Sequence, residues 1–251
     1  MKNCSTLDQL KRNFTALVAS ELRTPVTILL GYANLLEEQA LVGTNESVAA
    51  IASQSVKLKR LVDSIVTLYQ IDTHQIRIVP RPLPLADLAE NSIQIHKHEW
   101  TQKNLRIENQ IGDDVIVEAD RELVSLIFAN LLSNATKFSP RGGKITVAAQ
   151  ARDKMIAVSV SDQGIGIVAE ELDYIFDRFY QPGDPLSRKH NGIGLGLTLA
   201  KTLVELHNGQ IYVESALDIG STFHFTLPSL VPKDSLDPLH PKSRIATNAF
   251  L

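Results

Sequence analysis

Apolar residues in the first part of the chain recur every three or four positions, the spacing of one helix face. Between residues 10 and 36 this stripe predicts a long amphipathic helix, bent at Pro25 because proline disrupts a helix interior. Polar residues and Gly43 interrupt the stripe at residues 38–47, and it resumes over residues 48–71. The pattern therefore predicts a helical hairpin.

Each predicted helix has one narrow apolar stripe, and a hairpin of two helices leaves much of it in contact with water. A second copy of the chain would cover the stripes by closing a four-helix bundle, which predicts a homodimer through residues 10–73. The stripes could instead pack against the rest of the same chain. The pattern favours the dimer and leaves this alternative open.

Three prolines between Ile76 and Leu85 cannot continue a helix and indicate a domain boundary near residue 74. The chain then divides into a helical hairpin (residues 1–74), a second domain (residues 75–228) and a tail (residues 229–251). The tail contains three prolines and few large apolar residues, so we expect it to be disordered.

Helical and strand patterns follow one another along the second domain. Periods of three to four residues predict helices at 86–103, 121–137, 169–175 and 196–207. Alternating or short apolar runs predict strands at 105–109, 115–118, 144–150, 155–161, 210–214 and 222–227. This order predicts an α/β sandwich with a mostly antiparallel sheet. The fold class of the whole chain is therefore α+β, a helical hairpin followed by a sandwich.

Composition narrows the class of protein. The 251 residues are 44% hydrophobic, which is enough for packed cores. A net charge of -3 provides no basic field, so we expect no nucleic-acid partner. The single cysteine, Cys4, excludes an internal disulfide and favours a reduced, cytoplasmic protein. Uninterrupted apolar stretches are all shorter than the roughly 18 residues of a membrane helix, so we expect no membrane segment in this chain.

Asn130, Asn134 and Lys137 are spaced to share one face of the helix predicted at 121–137. A carboxamide oxygen can bind Mg²⁺ without adding negative charge beside phosphates, and a lysine can pair with a phosphate. This face could therefore hold a metal-bound triphosphate. Asparagines at these positions could equally be ordinary surface or capping residues.

Two glycine-containing runs add to this picture. Asp162-Gln-Gly164-Ile-Gly166 follows a predicted strand; its acid could accept from an adenine amino group, and its glycines allow close approach of the backbone. An ordinary turn has the same composition. Gly192-Ile-Gly194-Leu-Gly196 opens a helix at Leu197, which directs backbone amides toward an anion. It follows no strand and lacks Gly-Lys-Ser or Gly-Lys-Thr, which argues against a dinucleotide fingerprint and a phosphate-binding loop.

Five runs occur in an order that resembles the N, G1, F, G2 and G3 boxes of sensor histidine kinases. They are Asn130-Leu-Leu-Ser-Asn134-Ala-Thr-Lys137-Phe138, Asp162-Gln-Gly-Ile-Gly166, Ile175-Phe-Asp-Arg-Phe179-Tyr180, Gly192-Ile-Gly-Leu-Gly196-Leu-Thr-Leu-Ala and Gly220-Ser-Thr-Phe223. The resemblance implies the Bergerat ATP-binding fold, with ATP and Mg²⁺ as cofactors.

The resemblance also implies roles for individual residues. Asn134 would hold Mg²⁺, Asp162 would bind adenine, and Asn130 and Lys137 would support the metal and the phosphates. Residues 177–190 would form the ATP lid, with Arg188 or Lys189 available to the γ-phosphate. The other nucleotide-binding residues implied by the boxes are Gly164, Gly166, Phe179, Gly192, Gly194, Gly196, Leu197 and Thr222, the last of them near the base.

The hairpin resembles the dimerisation and phosphoacceptor domain of the same family, through the run Ala19-Ser20-Glu21-Leu22-Arg23-Thr24-Pro25. The family pattern is Ser-His-Glu-Leu-Arg-Thr-Pro, so Ser20 stands where the phosphorylated histidine belongs. A serine hydroxyl is a poorer nucleophile than imidazole, and none of the seven histidines lies in this motif. Glu21 would be the general base, and Thr24 could orient a water that removes phosphate from a receiver aspartate.

Three functions compete on this basis. The leading hypothesis is a cytoplasmic, homodimeric histidine-kinase core that binds Mg·ATP for phosphoryl transfer in two-component signalling. Its partner would be a response-regulator receiver domain, and Ser20 would compromise its self-phosphorylation. One alternative is an ATP-binding pseudokinase that regulates a receiver domain or a partner kinase. The other is a response-regulator phosphatase that uses Thr24.

Overall fold

The computed structural model describes residue 22, residues 25–31, residue 33, residues 44–181 and residues 194–230. Residues 25–31 form helix α1, which agrees with the first predicted helix over the part that is described. Helix α2 spans Thr44–Asp72. It begins within the predicted break, because the polar residues at 44–47 suit a first helical turn. Among the described residues, no helix is both long and apolar enough to cross a membrane.

Helix α2 has two different apolar sides near its carboxyl end. One side packs against the core of the following domain, and Leu68 is only 6% exposed there. Its members are Leu61, Ile65, Leu68 and Ile71. The adjacent side is open in the single chain, with Val62, Val66 and Tyr69 exposed by 44%, 46% and 62%. Packing on the same chain, the arrangement that the sequence pattern had left open, therefore occurs along the last turns of α2.

The proline-rich segment, which the sequence analysis had described only as a domain boundary, contains a short strand. Strand β1, Arg81–Pro84, pairs antiparallel with β3, Ile116–Ala119. Prolines are tolerated here because β1 is an edge strand of a two-stranded sheet. The segment thus anchors the start of the second domain.

One helix was predicted at 86–103, and the structure has two. Helix α3 spans Leu85–Ile95 and helix α4 spans Lys97–Gln102. They meet at His96, which is 3% exposed and whose Nδ1 lies 2.9 Å from the carbonyl oxygen of Ser92. The buried ring thereby satisfies a carbonyl at the end of α3, and the chain turns there.

The main sheet has five strands in the order β2-β4-β5-β7-β6. Their bounds are Arg106–Asn109 (β2), Lys144–Arg152 (β4), Met155–Asp162 (β5), Ile211–Ala216 (β6) and Gly220–Pro228 (β7). The β2–β4 pair is parallel and the other pairs are antiparallel. The prediction of a mostly antiparallel sheet is confirmed.

Helices α5, Arg121–Phe138, and α6, Gly196–Leu206, pack against one face of this sheet. The Asp120 side chain caps α5 by accepting from the backbone N–H groups of Glu122 and Leu123. Burial alternates along β5, and its buried residues face the helices. Asp162 is the last residue of that buried series. The strand therefore delivers a carboxylate to the edge of the core.

The helix predicted at 169–175 is largely wrong. Only Ala169–Glu171 is helical, as a single 3₁₀ turn. Turns continue the chain, with the N–H of Tyr174 donating to Glu171 and that of Asp177 to Tyr174. These turns bring Ile175 into the core, where it is 4% exposed.

The second domain extends slightly beyond its predicted end. Ser229, assigned to the tail, bridges to Val117 and donates its backbone N–H to the carbonyl of Lys154. The N–H of Leu230 donates to the carbonyl of Ile116. The prediction of a disordered tail otherwise concerns residues 231–251, which lie outside the described residues.

Candidate functional site

Asp162 is the most buried carboxylate of the candidate site, at 7% exposure. Its Oδ1 accepts a hydrogen bond from the N–H of Gly164 at 2.8 Å. Burial raises the pKa of Asp162, while hydrogen bonds from the backbone of Gly164 and Ser221 oppose that rise. The structure thus holds a hydrogen-bond acceptor in a poorly solvated position at the end of β5.

Glycines form the wall around this carboxylate. A Cβ on Gly164 would lie 2.9 Å from the carbonyl oxygen of Phe138, which is too close for a contact between a Cβ and a backbone oxygen. Gly166 has a φ of +69° and Gly220 a φ of +131°, and a Cβ on either would overlap a backbone carbonyl of Ala216 or Asp162. The absence of side chains is therefore a steric requirement, and it keeps the backbone accessible beside Asp162.

Helix α5 brings two of the predicted polar residues to this region. Asn130 donates its Nδ2 to the carbonyl of Leu126 at 2.8 Å, and its Oδ1 would lie 2.8 Å from a Cβ on Gly196. Asn130 is therefore packed against the start of α6. Asn134, one turn further along α5, is half-buried, and its side chain makes no hydrogen bond within the described part of the chain.

Lys137 lies in the last turn of α5, as the sequence predicted. Its Nζ is 4.9 Å from the ring centroid of Phe138, a cation–π distance. The ammonium therefore stays close to the carboxyl end of the helix. Together with Asn130 and Asn134 it forms a polar stripe on α5. The same helix contacts the glycine wall through the backbone carbonyl of Phe138.

The start of α6 lacks a side-chain cap among the described residues. Its N-cap residue, Leu195, makes no side-chain cap, and the first turn contains no acidic residue. Backbone N–H groups at such a terminus favour anions. Leu197, in the same turn, is half-buried and packs on the core, so its side chain serves to anchor the helix.

A tight backbone contact joins Phe179, near the start of the predicted lid, to Gly194, which follows the lid's predicted end. The N–H of Phe179 donates to the carbonyl of Gly194 at 3.0 Å. Both residues have positive φ values, +67° and +72°, which is unusual for phenylalanine. A Cβ on Gly194 would lie 2.8 Å from the carbonyl carbon of Phe179, so glycine is required there. The F and G2 boxes are thus joined at the base of the lid.

Thr222 does not lie beside Asp162, although the sequence analysis placed it near the base. Its hydroxyl is 2.9 Å from that of Ser161, on the sheet face opposite the buried series. Ser221 occupies the expected position instead, since it pairs with Asp162 across β5 and β7 and is 7% exposed. The alternation of side chains along β7 could have shown this, because Ser221 shares the buried face with Phe223 and Thr222 lies on the opposite face.

Sequence reasoning also missed an ion pair between the two domains. The two terminal guanidinium nitrogens of Arg178, Nη1 and Nη2, donate to the carboxylate of Asp72 at 2.7 Å. The contact holds the pKa of Asp72 below its usual value and raises that of Arg178, chiefly through these hydrogen bonds. It joins the end of α2 to the residue before Phe179. Nothing in the spacing of the two residues, 106 positions apart, predicts it.

Several predicted residues lie outside the described part of the chain. They are Ser20, Glu21, Thr24, Arg188, Lys189 and Gly192. Within the described ranges, no group of three or more His, Cys, Asp or Glu residues could hold a metal ion. A hard cation at this site would rely on a carboxamide such as Asn134 and on oxygens of the ligand itself, which suits Mg²⁺ bound to phosphates.

Two protein families match the chain. Residues 10–74 match the family described as "His Kinase A (phospho-acceptor) domain". Residues 119–231 match "Histidine kinase-, DNA gyrase B-, and HSP90-like ATPase". The two matches occupy the helical region and the sheet domain respectively, in the order that the sequence analysis predicted.

Individual relatives agree with the family matches. The sensor histidine kinase WalK of Bacillus subtilis is 32% identical over 231 residues, covering 88% of this chain and 37% of WalK. The sensor protein SrrB of Staphylococcus aureus is 29% identical and covers 91% of this chain and 40% of SrrB. The chain therefore spans about two fifths of the length of these relatives.

A solved structure shows the same fold. The histidine kinase AdeS of Acinetobacter baumannii superposes with a TM-score of 0.65 at 22% identity, over 84% of this chain and 98% of the AdeS chain. The helical region and the sheet domain are thus found together in a known architecture. The two family matches in this order, together with these relatives, show that the chain comprises a histidine-kinase catalytic core.

Proposed function

We propose that the chain binds Mg·ATP between α5, the end of β5 and the start of α6, and uses it for phosphoryl transfer in two-component signalling. The observation that carries this proposal is the buried Asp162 carboxylate beside a wall of obligatory glycines. A carboxylate in such a position can accept the amino group of adenine. The glycines leave room for a flat base against the backbone.

The remaining groups suit the other parts of the nucleotide. The uncapped start of α6 and the stripe of Asn134 and Lys137 on α5 fit the phosphates and their metal. Asn134 would hold Mg²⁺, with Asn130 and Lys137 in support, and the bound cation would neutralise charge on the triphosphate. Arg188 or Lys189 would approach the γ-phosphate from the lid.

The base-recognition part of the proposal is tested by comparing ATP with GTP. Asn in place of Asp162 would keep an oxygen for the Gly164 N–H and turn its amide nitrogen toward the base. Two donors would then face each other at the adenine amino group. We expect Asp162→Asn to weaken ATP binding about ten- to hundredfold, as loss of a buried hydrogen bond predicts.

GTP has an oxygen at the same ring position, so Asp162→Asn should narrow the preference for ATP over GTP. Isothermal titration with non-hydrolysable analogues of both nucleotides measures this. Asp173→Asn, a substitution of an exposed aspartate in the same domain, is the matched control and should change neither affinity. Equal affinities for ATP in Asp162→Asn and wild type would refute the assigned role.

Ser20 decides how much self-phosphorylation this site supports. We propose that the chain transfers phosphate to itself poorly, because a protonated hydroxyl at neutral pH is a weak nucleophile. Incubation of Ser20→His with labelled Mg·ATP should give an acid-labile, base-stable label that the wild type lacks. Asn134→Ala in the same background should abolish the label. If Ser20→His binds ATP and remains unlabelled, the catalytic part of the proposal fails.

The same serine favours a second candidate function, an ATP-binding pseudokinase that regulates a receiver domain or a partner kinase. Nucleotide binding without any protein label in the wild type would support it. A base-labile, acid-stable label would instead identify a phosphoserine and exclude the pseudokinase.

A third candidate, removal of phosphate from a receiver domain with help from Thr24, is tested by receiver dephosphorylation with Thr24→Ala. Rates equal to the wild type would remove it.

We further propose that the chain is a homodimer through residues 10–73 and acts on a response-regulator receiver domain in the cytoplasm, where ATP is available. The exposed side of α2, formed by Val62, Val66 and Tyr69, supports the dimer because an apolar stripe on a helix calls for a covering partner. Sedimentation of wild type against Val66→Glu tests it. We expect a dimer that dissociates in the variant.

A further inference from the structure

Lys103 lies in the turn between α4 and β2, and its side chain crosses to the end of helix α5. Its Nζ donates to the carbonyl oxygens of Thr136, Lys137 and Ser139 at 2.8, 2.6 and 3.1 Å. An ammonium has three N–H groups, so all of them are used. The side chain is half-buried, and burial lowers the pKa of Lys103.

The three carbonyls belong to the point where α5 stops. The last carbonyls of a helix have no partner within the helix, and they form its negative end. Side-chain hydroxyls do not compensate here: those of Thr136 and Ser139 are buried and make no hydrogen bond within the described residues. The ammonium therefore supplies both the donors and the positive charge that this helix end requires.

Phe138 lies between the carbonyls that Lys103 binds, and its own carbonyl faces the glycine wall. That oxygen would be 2.9 Å from a Cβ on Gly164, so the two backbones are in close contact. The N–H of Gly164 in turn donates to Asp162 at 2.8 Å. A continuous chain of contacts thus leads from Lys103 through the end of α5 to the buried carboxylate.

We propose that Lys103 is a positioning residue of the nucleotide site, which fixes the last turn of α5 against Gly164 and thereby orients Asp162. The inference rests on the proposed nucleotide binding and adds a residue outside the five boxes. Lys103 touches no ligand in this account. Its ammonium sets the distance between the polar residues Asn134 and Lys137 on α5 and the Asp162 carboxylate on β5.

The test compares full-length Lys103→Met and Lys103→Gln with wild type. Lys97→Met is the matched control, since Lys97 is an exposed lysine on the neighbouring helix α4. Isothermal titration with Mg²⁺ and a non-hydrolysable ATP analogue gives the affinity, and urea unfolding gives the fraction folded. We expect about tenfold weaker binding in both Lys103 variants while they remain folded, in line with the loss of a charged hydrogen-bond donor. Lys97→Met should bind like wild type.

A purely structural role would act on stability alone. Leu83→Ala, a core truncation in β1, whose partner β3 leads into the amino end of α5, therefore serves as a destabilised reference that should retain wild-type affinity at temperatures where it is folded. Lys103→Arg, which keeps the charge and several donors, should recover most of the lost affinity.

The outcomes separate the inference from the function on which it rests. No binding by wild type would overturn the proposed function itself. Binding by wild type with unchanged affinity in folded Lys103→Met or Lys103→Gln would overturn only the positioning role. Failure of both variants to fold would also overturn it, because Lys103 would then serve folding instead of the site.

Discussion

Alanine at position 166 would put a methyl group into the backbone of strand β6. Gly166 has a φ of +69°, and a Cβ on this residue would overlap the carbonyl oxygen of Ala216 and lie 2.6 Å from the carbonyl carbon. The neighbour is backbone of a paired strand and cannot rotate away as a side chain would. Either the end of β6 or the loop that contains Gly164 must therefore move.

The cost has two parts that a second glycine can separate. A left-handed backbone costs alanine about 1–2 kcal/mol. Forcing a methyl into a packed position adds about 1–3 kcal/mol. Gly142 has a φ of +77° with nothing within 4 Å of its Cβ position, so Gly142→Ala should show the first part alone. Both substitutions reduce the freedom of the unfolded chain equally, and that contribution cancels in the comparison.

Urea unfolding of the two variants and wild type measures this difference. We expect Gly166→Ala to lose roughly 1–3 kcal/mol more than Gly142→Ala. Its ATP affinity should also fall, because the displaced loop holds the Gly164 N–H that orients Asp162. Equal losses of stability in the two variants, with ATP affinity unaffected, would show that the steric account of the glycine wall is wrong.

Two further predictions follow from the charged groups. Burial raises the pKa of Asp162, so its ionised form costs stability as the pH rises through that pKa. Asp162→Asn should therefore be at least as stable as wild type at pH 7, with the difference disappearing below the pKa of the unfolded chain, as pH-dependent urea unfolding would show. Asp72 shows the opposite pH dependence. Its pKa is lowered in the folded chain, so the ionised carboxylate contributes stability above the pKa of the unfolded chain, and this stability is lost as the pH falls through the pKa of the folded chain. Because both partners are nearly half exposed, Asp72→Asn should cost less than about 1 kcal/mol at neutral pH, and about 0.5 M salt should shrink the cost further. A loss of several kcal/mol would contradict the surface character of this pair.

Local periodicity was sufficient for most elements of the fold. The helix at 121–137 and the antiparallel strands around Asp162 were predicted within a few residues, because each has a long apolar repeat facing a single core. The helix break at His96 was missed, since a buried histidine that binds a carbonyl looks like any polar residue in a helical pattern. Strand β1 was missed because prolines mask edge strands.

The candidate site divides in the same way. Asn130 lies on the helix that the sequence predicts, and Gly164 follows the end of a predicted strand. Ser221 was missed because only the register of β5 against β7 shows which of two adjacent residues faces Asp162. Lys103 and the Asp72–Arg178 pair depend on contacts between distant segments, which local patterns do not contain.

Helix α2 is a single continuous helix with two adjacent apolar sides. Successive residues on a helix are turned by about 100°, so Leu68, which faces the ATP-binding domain, and Tyr69, which faces outward, lie next to each other on its surface. A rotation of α2 about its own axis by about 100°, the angle between successive residues, would exchange the two sides. The side of α2 that packs against the sheet domain and the side that is open to a second chain therefore belong to the same helix, and a rotation of the helix changes both.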